Sequence, residues 1–181
     1  MFEWLTGRHR DRSKAGNLYG AVVTLARTPG FYSQFGVPDT PEGRFEMVSL
    51  ALFLTLERLK SFPGQEKLVQ GTIEAFVTDM DDCLREMGVG DLGVSKRVKR
   101  AAAAFYERAG SYRPALTDAS AAAMTDALTS HVYSGQAVAQ APDLAKLVLA
   151  LWNELGRADV AQLESGAVLA SLAALAAAPV T

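Results

Sequence analysis

Apolar residues recur along nearly the whole chain at steps of three and four, and no run alternates apolar with polar as a half-buried strand does. The spacing predicts helices and no sheet. Residues 14–27 put Leu18, Ala21, Val22 and Leu25 on one face, and Thr28, Pro29 and Gly30 are expected to stop that helix. Residues 41–60 follow Thr40, an N-cap residue type, with Pro41 at the first helical position, where its missing N–H costs nothing. In this helix Phe45, Val48, Leu52, Leu56 and Leu59 form one stripe and Met47, Leu50 and Leu54 another. A helix apolar on most sides is central, covered by several neighbours.

The segment 65–87 is cleaner: Val69, Ile73, Phe76, Met80, Leu84 and Met87 share one face, away from Glu74, Asp81, Asp82 and Arg85, and Gly88 stands at the C′ position. Further helices are expected over 95–109, with Ser95 as cap and Val98, Ala101, Ala102 and Phe105 inward, and near 117–132, 143–155 and 158–178. Leu144, Leu147, Val148, Leu151, Trp152 and Leu155 give the 143–155 helix an apolar face. The expectation is an all-α protein: a single compact multi-helix domain over 1–181 with a buried central helix near 41–60.

Composition changes this picture little. A chain of 181 residues can bury roughly 70% of its unfolded surface without a metal or disulfide. The formal charge of −2 gives no general attraction to nucleic acid, and no DNA partner is expected. The charge is uneven, with 16 Lys/Arg against 14 Asp/Glu in residues 1–113 and 2 against 6 in 114–181, so an anionic partner is expected to meet the first part. The single cysteine, Cys83, excludes an internal disulfide and multi-cysteine metal motifs, which fits a reducing compartment. The basic N-terminus lacks the apolar stretch of a secretory signal and no window reaches the roughly 20 apolar residues of a membrane span, so a cytoplasmic location is expected.

Candidate chemistry is sparse. Gly88 to Gly93 reads G-x-G-x-x-G, but the dinucleotide fold needs a strand before the glycines, and a helical pattern stands there instead. The glycines then read as a cap and turns, with Ser95 opening the next helix. A glycine-rich turn feeding a helix that carries Lys96, Arg97, Lys99 and Arg100 also suits an isolated anion, such as a phosphate of RNA or lipid. His9 and His131 are the only histidines, too few for a zinc site or a triad; at a helix C-terminus His131 is expected to be partly protonated. Asp79, Asp81, Asp82 and Glu86 describe a polar helix edge better than a cation site, and Cys83, flanked by acids beside the apolar stripe, is expected to pack inertly. No catalytic residue, metal or cofactor is expected. The segment 27–45 holds Phe31, Tyr32, Phe35 and Phe45 among prolines and glycines; such aromatics either plug the core or form a contact patch, and Asp39 can pair with Arg44 across the turn.

Two groups of motifs then point one way. Tyr19, Arg27-Thr-Pro-Gly-Phe-Tyr32, Gly36-Val-Pro-Asp-Thr40 and Gly43-Arg-Phe45 come first. Asp79-Met-Asp81, Leu84-Arg-Glu-Met-Gly-Val-Gly-Asp-Leu92, Val94, Lys96, Val98 and Phe105-Tyr106 follow. In that order they resemble the ubiquinol–cytochrome c chaperone family over roughly residues 15–140, with the helices of 141–181 lying beyond the matched motifs. The resemblance implies a non-enzymatic assembly factor of the bc1 complex that binds newly made cytochrome b. Mitochondrial members work with a small partner protein and touch the ribosome near the tunnel exit. This alanine-rich chain looks like a bacterial relative, acting in the cytoplasm beside the inner membrane. On that reading Phe31, Tyr32, Phe35, Asp39, Arg44 and Phe45 are the client-contact or loop-shaping candidates. Asp79, Asp81, Arg85, Glu86, Gly88, Gly90 and Asp91 form the second motif, and Lys96, Arg97, Lys99 and Arg100 are the anion contacts. Two other classes stay open: a helical binder of a small apolar ligand such as a quinone or haem, and an RNA binder.

Overall fold

A computed structural model describes residues 3–86 and 91–179, with side chains from residue 13 onward except 84, 86, 91–95 and 97. The described residues form helices α1 (Glu3–Ala26), α2 (Pro29–Ser33), α3 (Pro41–Leu59), α4 (Glu66–Glu86), α5 (Asp91–Thr117), α6 (Ala121–His131), α7 (Ala141–Arg157), α8 (Val160–Glu164) and α9 (Ala167–Ala177), and no strand occurs among them. The fold is all-α and compact, as the periodicity predicts.

Helix α3 is the centre. Every side chain from Glu46 to Leu56 is buried, because α1, α5, α7 and α8 cover it from different sides. Its start is set as the sequence predicts: the Thr40 hydroxyl accepts from the Gly43 N–H at 3.1 Å, and Pro41 opens the helix. Helix α1 lies against α3, α4 and α9 through Leu18, Val22 and Leu25. Helices α4 and α5 pack together through Phe76 and Phe105, whose rings are 5.8 Å apart, while α6 and α7 close the other side.

Several boundaries differ from the periodic reading. Helix α1 begins at Glu3, not near 14; its early stretch is rich in arginine, a good helix former that an apolar periodicity does not register. Thr28 is extended, the geometry favoured before proline, so α1 does stop; Pro29 then opens the short α2 instead of leaving a loop. Helix α5 starts at Asp91, so Gly93 and Ser95 lie inside it and neither turns the chain nor caps it. It also runs on to Thr117 through Pro114. The proline ring stands over Gly110, and both are exposed, so water can reach the carbonyl that loses its donor. Helix α6 starts at Ala121, not 117, with the Ser120 hydroxyl accepting from Ala123. The 158–178 segment is two helices, split where Gly166 takes a left-handed φ of 72° and comes close under Ala21 of α1. Cys83 is exposed rather than packed, standing beside exposed Asp82 near the end of α4.

One polar feature crosses the core. Glu46 in α3 accepts two hydrogen bonds from Arg108 of α5, whose guanidinium also donates to the Ala104 carbonyl at 3.0 Å. Beyond this pair the Ser49 and Tyr112 hydroxyls are buried without a hydrogen-bond partner among the described residues, and burial pushes the Tyr112 phenol up.

Candidate functional site

The segment from Arg27 to Phe45 is built to hold one shape. Phe31 and Phe35 are buried and fill the core, so of the two fates open to the loop aromatics these take the inward one. The Phe35 carbonyl receives the Tyr133 hydroxyl at 2.6 Å, and the Phe31 carbonyl receives the Val37 N–H at 3.2 Å. Two glycines are fixed by contact: a Cβ on Gly30 would lie 2.1 Å from the Ala176 carbonyl oxygen, and one on Gly43 would lie 1.9 Å from that of Pro38. Gly36, three residues past the end of α2, takes a left-handed φ of 66° that a glycine adopts without strain. Phe45 is half-buried, tilted on Phe76 at 6.2 Å, with the Arg108 guanidinium 5.7 Å from its ring centre.

The outward side chains of this segment line an open hollow of about 630 Å³ bounded by Arg27, Pro29, Tyr32, Ser33, Asp39 and Arg44. Tyr32 is its half-buried wall and donates its hydroxyl to the Ala26 carbonyl at 2.9 Å. Burial, and secondarily the charge of Asp39, raises its phenol, against the pull of Arg44 and Arg27. Arg44 donates from Nε to Asp39 at 2.7 Å, the cross-turn pair the sequence suggests, and this bond lowers the Asp39 carboxyl below its ordinary range.

The second motif is distributed over α4. Asp79 receives the Tyr19 hydroxyl at 2.7 Å, which ties α1 to α4, and burial followed by that bond raises the Tyr19 phenol. Asp81 pairs with Arg85 one turn on at 2.7 Å. Glu86 ends α4 and Asp91 begins α5, with their side chains outside the described set; Gly88 and Gly90 lie outside the described residues. Of the anion candidates, Lys96, Lys99 and Arg100 are exposed on α5, and the Arg97 side chain is not described. Among the described residues no cluster of three or more His, Cys, Asp or Glu side chains is placed to hold a metal ion. His131 does close α6, but its ring contacts Ser111 Oγ at 3.0 Å and stacks edge-on to Tyr112. Burial first, then the nearby Arg108, lowers its pKa, opposite to the shift expected from the helix end.

Sequence reasoning passed over Arg27 and Ser33 as site residues, and over the Glu46–Arg108 pair. The pair had a signal: one glutamate between two apolar stripes of a central helix requires a buried cation. Arg27 had a weaker one: it opens the motif at a helix end, and only the turn into α2 at Pro29 brings it to the hollow that Arg44 also lines.

The fold and the 27–45 segment define a compact all-α domain with a tightly fixed loop at its surface. Residues 33–171 match the family model described as ubiquinol-cytochrome C chaperone. The chain belongs to that family. The match begins after Tyr19 and the Arg27–Tyr32 motif and reaches well beyond residue 140. The crystal structure of the Cbp3 homolog from Brucella abortus is similar to this chain, with a TM-score of 0.79 and 38% sequence identity over 92% of this chain and 94% of that one. No curated protein matches the sequence. Among the described residues no helix is long and apolar enough to cross a membrane.

Proposed function

We propose that this protein is a non-enzymatic assembly chaperone that binds newly made cytochrome b and assists biogenesis of the ubiquinol–cytochrome c reductase (bc1) complex. The observation that carries the reading is the family match over residues 33–171, joined to near full-length similarity to a Cbp3 homolog at 38% identity. The family implies a client protein. The architecture is compatible with that role: the 27–45 segment presents a rigid rim, so a client segment can dock without first ordering the chaperone. Exposed Lys96, Lys99 and Arg100 suit an anionic surface, of lipid headgroups or ribosomal RNA, which would keep the protein beside the membrane where cytochrome b is inserted. A small partner chaperone and the ribosome are further contacts that the family resemblance implies.

The test is deletion of the gene in the native host, read by reduced-minus-oxidised spectra of cytochrome b and by native electrophoresis of the bc1 complex. A photo-crosslinker at exposed Glu42, beside the hollow, in the complementing copy reports the contact. Loss of both in the deletion strain, with cytochrome b captured at residue 42 during its synthesis in the complemented one, is the expected result. Undiminished cytochrome b and bc1 complex in the deletion strain would overturn the reading.

A further inference from the structure

The hollow between α1, α2 and the start of α3 has an electrostatic character that loop-shaping does not explain. Arg44 is held from one side only: Asp39 takes its Nε, while no described group takes its terminal nitrogens. Arg27 is exposed and makes no ion pair or side-chain hydrogen bond among the described residues. Both guanidiniums act electrostatically on Tyr32 and line the same hollow with it. The surroundings of these donors are fixed. Gly30 and Gly43 are held by backbone contacts, Thr40 caps α3, and Tyr32 is tied to Ala26.

We infer that this hollow is a receptor for a carboxylate carried by a polypeptide, with Arg27 as its principal anchor and Arg44 as a second donor oriented by Asp39. The charge balance selects the ligand. Two guanidiniums against one carboxylate leave one positive charge, which a single carboxylate neutralises and a phosphate dianion would exceed. Arginine's planar fork matches a carboxylate by paired N–H donors. The Tyr32 ring and Pro29 supply an apolar wall, which a peptide backbone and side chain can cover and a free inorganic anion cannot. The inference rests on the reading that the protein holds a client polypeptide, and it names the chemical group by which this surface would recognise one.

The experiment titrates the isotopically labelled protein by NMR, following arginine Nε–H signals and the amides of residues 27–45. The probes are three N-acetylated tripeptides of one apolar sequence, together with inorganic phosphate. One peptide ends in a free carboxylate, one is amidated and carries a single glutamate, and one is amidated and neutral. Saturable shifts at Arg27 and Arg44 with either carboxylate peptide, and none with the neutral one, are expected; the stronger of the two tells a chain terminus from an acidic side chain. Arg27→Gln, on an exposed position, should weaken binding at least about ten-fold with an unchanged circular dichroism spectrum. Arg27→Lys should fall between, keeping the charge and losing the fork. Ser33→Asp, which places a like charge at the rim, should abolish binding independently. Tighter binding of phosphate than of both carboxylate peptides, equal shifts with the neutral peptide, or retained affinity in Arg27→Gln would each overturn the inference. Because no cytochrome b is present, carboxylate binding alongside an unaffected deletion strain would sink the proposed function and leave the receptor standing. Lost cytochrome b with no carboxylate binding would do the reverse.

Discussion

Replacing Arg108 by methionine isolates the worth of the ion pair inside the core. Methionine keeps much of the arginine stem's volume, so the change removes the guanidinium and little packing. The two side chains retain only 16% and 8% of their exposure, so the Glu46 carboxylate would be left out of water with neither of its two donors. Removing one partner of a buried pair costs about 3–5 kcal/mol, because the remaining charge is uncompensated. With a urea m-value of about 2 kcal/mol per molar, the unfolding midpoint should fall by about 1.5–2.5 M. Urea titration followed by far-ultraviolet circular dichroism measures this directly. The double variant Glu46→Leu/Arg108→Met should recover most of the loss, since an apolar pair of similar volume is often as stable as a buried ion pair. A loss under about 1 kcal/mol for Arg108→Met at unchanged m would show that water reaches Glu46, and the pair would then be a surface contact rather than a desolvated one.

Phe31→Ala should cost about 3–5 kcal/mol by urea unfolding, because Phe31 is only 2% exposed, whereas Tyr106→Ala, at 65% exposure, should stay within about 0.5 kcal/mol. A small loss for Phe31→Ala would return that ring to the surface as a contact residue. Gly43→Ala should destabilise by about 1–3 kcal/mol or more, since its Cβ would meet the Pro38 carbonyl oxygen at 1.9 Å and backbone must move; a thermal midpoint equal to the parent's would refute the close approach. The hydrogen bond from Arg113, followed by that from Lys60, holds the Glu57 carboxyl at about 2, well below its ordinary 4.5. The folded-state pKa is depressed, so this stabilisation is complete above pH 4.5 and lost as pH falls from there towards 2. Arg113 is half exposed, which limits the effect to about 1 kcal/mol or less. Glu57→Gln should therefore flatten the thermal midpoint's dependence on pH in that window and change little at pH 7 by comparison, and an unaltered slope would count against the pair.

The apolar periodicity carried the fold a long way because most burial here is helix on helix. Leu52, Leu56 and Leu59 are inward in α3 as their spacing predicts, and Thr40 with Pro41 set its start through strictly local chemistry. Part of what periodicity missed was decided by where an element sits in the fold. Gly166 breaks the last helix because α1 approaches there, and Pro114 is tolerated in α5 because both it and Gly110 face water, facts that no window of sequence contains. The site divides the same way. Asp39 and Arg44 are five residues apart and pair as their spacing suggests, whereas Arg27 joins them only after the chain has reversed through α2. The charge state of His131 failed for a related reason: the helix end favours the proton, but burial and Arg108 on a neighbouring helix outweigh it.

The residues of the 27–45 segment divide into two populations with different work. Gly30, Phe31, Phe35 and Gly43 face inward and fix where the backbone runs, by exclusion in the glycines and by burial in the aromatics. Arg27, Tyr32, Ser33, Asp39 and Arg44 face the hollow and fix what it can hold. The inward set cannot change without moving the outward one, because Gly43 lies next to Arg44 and Phe31 next to Tyr32 along one tightly constrained path. A substitution in the inward set should therefore lower stability and ligand affinity together, while one at exposed Arg27 or Arg44 should lower affinity alone. That separation is what a rigid recognition surface predicts, and a flexible loop ordered only by its client would not produce it, since its glycines could be replaced without cost to the free protein.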